Sequence, residues 1–320
     1  MRLVMMGTGP FAVPTFRALY ETSHQVLALF TRPARPVHGR KSQEPVNPMR
    51  ALAEQRGTPV LDPESINTPE ARQALAALTP DLLVVADYGQ ILSTETLAIS
   101  RLGGINLHAS LLPRYRGAAP INWAMYHGES ETGVTVIHMT PKLDAGPCIA
   151  QQATPIGATE TAVDLEARLS AMGVPMVLRS IEQLESGTTT PIVQDQTLAT
   201  RAPRLKKTDG IIDWKRPAQA IENQLRALEP WPRSYTHWHR PGHEPLRLIV
   251  DKAAVVPLAS PKTPGEVVTG DGGRLVIAAG DGALELLRVQ PSGKRVLESA
   301  EFLRGYPVLP GQTFGPHAEE

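Results

Sequence analysis

Asn106, His108 and Asp144 are the side chains best suited to chemistry at a carbonyl. Asn106 and His108 lie two apart in the apolar stretch Gly104-Ile-Asn-Leu-His108, so on a strand they share a face. An amide donor and an imidazole at a strand end, followed by an irregular loop with Pro113, Arg114, Arg116 and Gly117, can stabilise an oxyanion and move a proton. Asp144 sits in Lys142-Leu-Asp-Ala-Gly146. A carboxylate close to a histidine holds the ring and stabilises its imidazolium. Taken singly, each residue has a plainer reading: a structural histidine, a capping amide, a turn aspartate.

A second pattern points elsewhere. Gly7-Thr-Gly-Pro-Phe-Ala12 matches the dinucleotide turn G-x-G-x-x-G/A between a strand and a helix. The next strand ends in Thr31-Arg32, with no acid for a ribose hydroxyl, so only an NADP-dependent oxidoreductase using Arg32 stays open beside a plain tight turn. His127, His138, His237, His239 and His243 show no ligand spacing, and no metal is expected. Cys148, in an apolar stretch, reads as an inert buried thiol. Trp214, Trp231 and Trp238 are expected to pack inside the fold, with base stacking the alternative.

The elements that must position these residues alternate strand and helix. Apolar runs at Leu3–Met6, Val26–Phe30, Pro59–Leu61, Leu82–Ala86 and Ile105–Leu107 are spaced by helical patterns, which argues for an α/β domain with a parallel sheet. Gly133–His138 alternates and pairs with Cys148–Ile156 as an antiparallel ribbon, and Ala162–Leu184 reads as a long amphipathic helix. From Arg201 to Pro217 the chain reads as a basic linker, with Arg201, Arg204, Lys206, Lys207, Lys215 and Arg216 against Asp209 and Asp213. Beyond it, short β runs separated by turns such as Gly280-Asp-Gly282 suggest a small barrel. The expected domains are 1–200, the linker 201–217, and 218–320.

Composition sets limits. With 32 basic and 32 acidic residues among 320, no global field draws the chain to nucleic acid, so any polyanion contact must be local. One cysteine excludes an internal disulfide and fits a cytoplasmic setting. The N-terminus is too short for a signal h-region and no apolar run spans a bilayer, so no membrane role is expected.

The run Asn106-Leu-His108-Ala-Ser110-Leu-Leu-Pro113-Arg-Tyr-Arg116-Gly-Ala-Ala-Pro120 resembles the 10-formyltetrahydrofolate-dependent formyltransferases. So do Tyr88-Gly-Gln-Ile-Leu92, Glu131-Thr-Gly-Val-Thr135, Leu143-Asp-Ala-Gly146, Ile212-Asp-Trp214 and Pro230-Trp-Pro232, in family order. The resemblance implies a doubly wound formyltransferase-type N-terminal domain and a C-terminal OB-like β-barrel. It implies Asn106, His108 and Asp144 as the catalytic set. It implies folate contacts at Tyr88, Gly89, Gln90, Ile91, Leu92, Ser110, Leu111, Leu112 and Pro113. The co-substrate would be 10-formyltetrahydrofolate, with neither metal nor NAD. The acceptor would be the α-amine of initiator methionyl-tRNA, with an amino-sugar nucleotide as the alternative. Arg40, Lys41, Lys206 and Lys207 would then meet tRNA phosphates, and the enzyme would be a monomer. Three features depart from the family pattern: Asp87 replaces a small residue, Gly9 stands where Pro-Asp or a similar pair is common, and the loop Pro33–Glu44 is less basic than the family's.

Overall fold

The computed structural model describes residues 1–33, 47–270 and 272–316. Five apolar runs form parallel strands: β1 (Arg2–Met6), β2 (Gln25–Phe30), β3 (Val60–Leu61), β4 (Leu82–Val85) and β5 (Gly104–His108), in the order β3-β2-β1-β4-β5. Strands buried on both faces are continuously apolar, as Leu82–Val85 is. Helices α1 (Val13–Leu19), α2 (Pro48–Gln55), α3 (Pro69–Ala77) and α4 (Thr94–Leu97) connect them. Side chains cap three of these: Asn47 accepts from the Met49 and Arg50 N–H groups, Thr68 from Ala71, and Ser93 from Thr96.

Further along come β6 (Arg116–Gly117), α5 (Pro120–Tyr126), β7 (Glu131–His138), β8 (Cys148–Pro155), α6 (Ala162–Ser186) and β9 (Arg201–Ala202). The β7–β8 ribbon is antiparallel, and β7 also pairs antiparallel with β5, opposing His108 to Thr135. The ribbon thus extends the main sheet to seven strands, which its alternation alone did not reveal. On α6, a Cβ at Gly173 would lie 2.4 Å from Leu107 Cδ2, so glycine there lets the helix lie close on β5.

The later chain adds α7 (Ala218–Ala227), β10 (Tyr235–His239), β11 (Leu246–Val256), β12 (Val267–Thr269), β13 (Leu275–Ala278), β14 (Ala283–Pro291), β15 (Leu297–Glu298), α8 (Ser299–Gly305) and β16 (Thr313–Gly315). Their sheet is antiparallel in the order β12-β13-β14-β11-β10-β16, with β15 on β14. A bridge between Glu266 and Thr313 links its two edges, giving the near-closed, OB-like barrel. Trp214, Trp238, Phe302 and Phe314 fill its core, and Trp238 stacks on Phe314. Trp231 does not follow its packing expectation: it is 54% exposed, between Pro230 and Pro232.

Two compact units result. One comprises Met1–Pro120, Glu131–Pro155 and Asp164–Pro203; the other comprises Ile121–Ser130, Ile156–Val163 and Arg204–Glu320. The early segments belong to the second unit through bonds such as Asn122 Nδ2 to the Ala227 carbonyl at 2.7 Å and Arg226 Nη1 to the Glu160 carbonyl at 2.9 Å. The 201–217 stretch is also more than a spacer: Arg201–Ala202 pairs with β6, and Trp214 is barrel core.

Candidate active site

β5 delivers Asn106 and His108 to the carboxyl end of the parallel strands, where open α/β sheets bind ligands. The loop between β7 and β8 brings in Asp144. His108 Nε2 donates to the Tyr115 carbonyl at 2.9 Å, and its Nδ1 lies 3.7 Å from Asp144 Oδ2. The amide of Asn106 reaches Asp144 Oδ1 at 3.5 Å. The Gly117 N–H donates to Asp144 Oδ2 at 2.9 Å. Both ring nitrogens of His108 therefore face acceptors, and side-chain exposures of 6% and 11% keep His108 and Asp144 largely out of bulk water, with Asn106 partly buried beside them. Asp144 has φ +47° and Tyr115 φ +60°, left-handed conformations that non-glycine residues hold only when their surroundings enforce them.

The 110–113 loop is built from interactions that local sequence does not signal. Thr135 Oγ1 donates to the Ser110 carbonyl at 2.6 Å and accepts from the Leu112 N–H at 3.2 Å. Gln151 Nε2 donates to the Leu112 carbonyl at 2.9 Å and to Thr135 Oγ1 at 3.0 Å. Ser110 Oγ closes the turn onto the Arg114 carbonyl at 2.7 Å. Across the 88–92 loop the side chains divide sharply. Tyr88 and Leu92 are buried in the core, and Gln90 bonds to the Ile66 N–H and the Pro63 carbonyl. Gly89, at φ +74°, and Ile91 are the exposed ones.

Lys206 and Lys207 are exposed at the start of a 3-10 turn; Arg40 and Lys41 lie outside the described residues. Cys148 is half-buried, and burial pushes its thiol up. Among the described residues no group of three or more His, Cys, Asp or Glu is placed to hold a metal ion, and no helix is long and apolar enough to cross a membrane.

The glycine turn serves packing. A Cβ at Gly7 would lie 2.6 Å from Phe16 Cε2, and one at Gly9 would lie 1.8 Å from Asp87 Oδ2. A phosphate approaching Gly9 would meet the Asp87 carboxylate, which already takes the Gly9 N–H. The two positions thus touch, and the absence of a side chain at 9 makes room for the carboxylate at 87. Solvent reaches Asp87 from one side, while the protein around it pushes its pKa up to about 6 against the opposing pull of the Gly9 N–H and Arg32. Burial, helped by the Asp87 charge, pushes Glu166 on α6 up to about 7.

The comparisons agree with this architecture. The family described as "Formyl transferase" matches residues 1–181, and "Formyl transferase, C-terminal domain" matches 204–307. The methionyl-tRNA formyltransferase of Citrifermentans bemidjiense is 42% identical over 98% of this chain and 96% of its own. That of Rhodopirellula baltica is 44% identical over 98% and 96%. Among solved structures, an N-formyltransferase from Helicobacter canadensis superposes with TM-score 0.65 at 18% identity, covering 90% of this chain and 98% of its own. HypX from Aquifex aeolicus, crystallised with tetrahydrofolic acid, gives TM-score 0.62 at 18% identity; this chain, 98% covered, spans half of HypX. At that identity the structures speak to fold alone. The sequence match across both units shows that the chain belongs to the formyl transferase family.

Proposed function

We propose that this chain transfers the formyl group of 10-formyltetrahydrofolate to the α-amine of initiator methionyl-tRNA. The acceptor follows the names of the relatives, which match both units. The observation that carries the chemistry is the convergence of Asn106 Nδ2 and His108 Nδ1 on one carboxylate, at 3.5 and 3.7 Å. Both distances are long for hydrogen bonds, so both donors can turn to a stronger acceptor. The neutral amine attacks the formyl carbon, and the carbonyl oxygen becomes an oxyanion that takes the Asn106 and His108 N–H groups. The carbon–N10 bond then breaks; one proton leaves the acceptor nitrogen and one is taken by N10. The Tyr115 carbonyl at Nε2 keeps the His108 ring oriented as Nδ1 turns, and Asp144, pinned by the Gly117 N–H, stays beside both donors.

Folate would lie between the 88–92 loop, through Gly89, Ile91 and backbone groups, and the 110–113 loop held by Thr135. Lys206 and Lys207, with Arg40 and Lys41, would meet tRNA phosphates. The test supplies 10-formyltetrahydrofolate with three acceptors in turn: charged initiator tRNA, glycinamide ribonucleotide and an amino-sugar nucleotide. Formylation of the tRNA alone is expected. Preferred turnover of either small acceptor overturns the assignment.

A further inference from the structure

We infer that Gln194 is a positioning residue for Asp144, an inference that rests on the role proposed for Asp144 above. Between 191 and 198, Gln194 is the one buried side chain, while Ile192, Val193 and Leu198 face solvent. Apolar burial alone would choose the reverse, so hydrogen bonds hold this amide inside. Its Nε2 donates to the carbonyls of Asp144 at 2.9 Å and Gly146 at 2.7 Å. Its Oε1 accepts from Arg116 Nε at 3.1 Å and Nη2 at 2.6 Å. Two donors and two acceptor sites are all used, the full capacity of a glutamine amide.

What it grips matters for the site. Asp144 is left-handed at φ +47°, and Gln194 binds the carbonyl of that strained residue. Two residues on, the backbone packs so closely that a Cβ at Gly146 would lie 1.7 Å from the His138 carbonyl. The other side of the amide holds Arg116, whose neighbour Gly117 donates the N–H that pins Asp144 Oδ2. Gln194 therefore ties the backbone of Asp144 to the strand that fixes its side chain. The segment itself is anchored by two 2.8 Å bonds between Ile192 and Cys148. No short-range pattern marks Gln194, because its partners are 50 and 78 residues away.

The experiment is a cycle in the full chain: Gln194→Met, which keeps the length but makes no hydrogen bonds, Asp144→Asn, and both together. Gln194→Glu runs alongside; it keeps the acceptor for Arg116 but faces two carbonyls with oxygen, and it replaces Gln194→Met in the cycle should that variant not fold. If Gln194 acts through Asp144, each Gln194 variant lowers kcat roughly 10–100-fold, leaves the folate KM within about twofold, and costs less than about threefold once Asp144 is Asn. A normal kcat, a KM effect without a kcat effect, or full additivity with Asp144→Asn overturns the inference. Near-normal turnover of Asp144→Asn alone sinks the catalytic reading of Asp144, and this inference with it.

Discussion

At the scale of single residues, a carbonyl, a carboxylate and a backbone N–H hold the site's polar atoms in place. His108 is fixed at Nε2 by the Tyr115 carbonyl, which leaves Nδ1 for Asp144 and the reaction. His108→Ala and Asp144→Asn should each lower turnover by about 10²–10⁴-fold with little change in folate affinity, read from kcat and from folate binding separately. Turnover close to normal in either variant refutes the assignment. Glu166 gives a pH prediction. Its pKa, about 7 in the folded chain against 4.5 as reference, means the folded state keeps a proton that the unfolded state releases. Stability should then fall as pH rises from about 4.5 to 7, with Asp87 acting in the same direction over its lower range. Glu166→Gln should flatten that slope and raise stability at pH 8 by about 1–2 kcal/mol, after discount for its partial exposure. Urea unfolding at pH 5 and pH 8 checks this; an unchanged slope in the variant removes Glu166 as its source.

At the scale of elements, the β7–β8 ribbon does two jobs. It extends the sheet, and through Thr135 and Gln151 it shapes the 110–113 loop. Gly133 is where both jobs meet. A Cβ there would lie 2.1 Å from the Gln152 carbonyl and 2.5 Å from Leu111 Cδ2. Gly133→Ala should therefore destabilise the chain by about 1–3 kcal/mol and weaken folate binding together, as strand and loop shift to relieve the overlap. Gly187→Ala is the control: its φ of +69° carries strain, but no atom lies within 4 Å of the added Cβ. A thermal melt and a folate titration of both variants separate the effects. Loss of folate binding in the Gly187 variant as well would mean the loop is not what Gly133 protects. Much of this element scale was legible in sequence, since each strand's apolar run and the ribbon's alternation are local. The joining of β7 to β5 was not, because edge pairing depends on which strand the fold leaves unpaired.

At the scale of the whole molecule, the chain is cut less simply than its composition suggests. The second unit takes in Ile121–Ser130 and Ile156–Val163 from the earlier chain. Arg216 lies 4.4 Å from the centre of the Tyr126 ring and donates to its hydroxyl at 2.7 Å. A chain ending at Pro203 would lack Arg216 and the Ala227 carbonyl that receives Asn122. Its melting temperature should fall below that of the full chain, and tRNA use should fall with it. An equal melting temperature would mean those early segments need no partner from the later chain. In the full chain, Lys206→Ala with Lys207→Ala should flatten the log-affinity against log-salt slope for tRNA by about 0.9 for each phosphate no longer neutralised. An unchanged slope would place the phosphate-binding groups elsewhere.

By itself the sequence determined what depends on neighbours along the chain. Asn106 and His108 share a strand face because strand side chains alternate, and the run that follows them is a continuous stretch in which the family resemblance could be read. Only the tertiary structure decided what depends on residues far apart. It brought Asp144 to Asn106 across 38 positions, and Gln194 to Arg116 across 78. It set Asp87 against Gly9, so that two positions 78 residues apart became one matched contact and the carboxylate took the Gly9 N–H of the glycine turn. The physical reason is the same in each case. Local preference sets the type of an element, while the partners of a buried polar side chain are set by which distant backbone groups the fold leaves unsatisfied beside it.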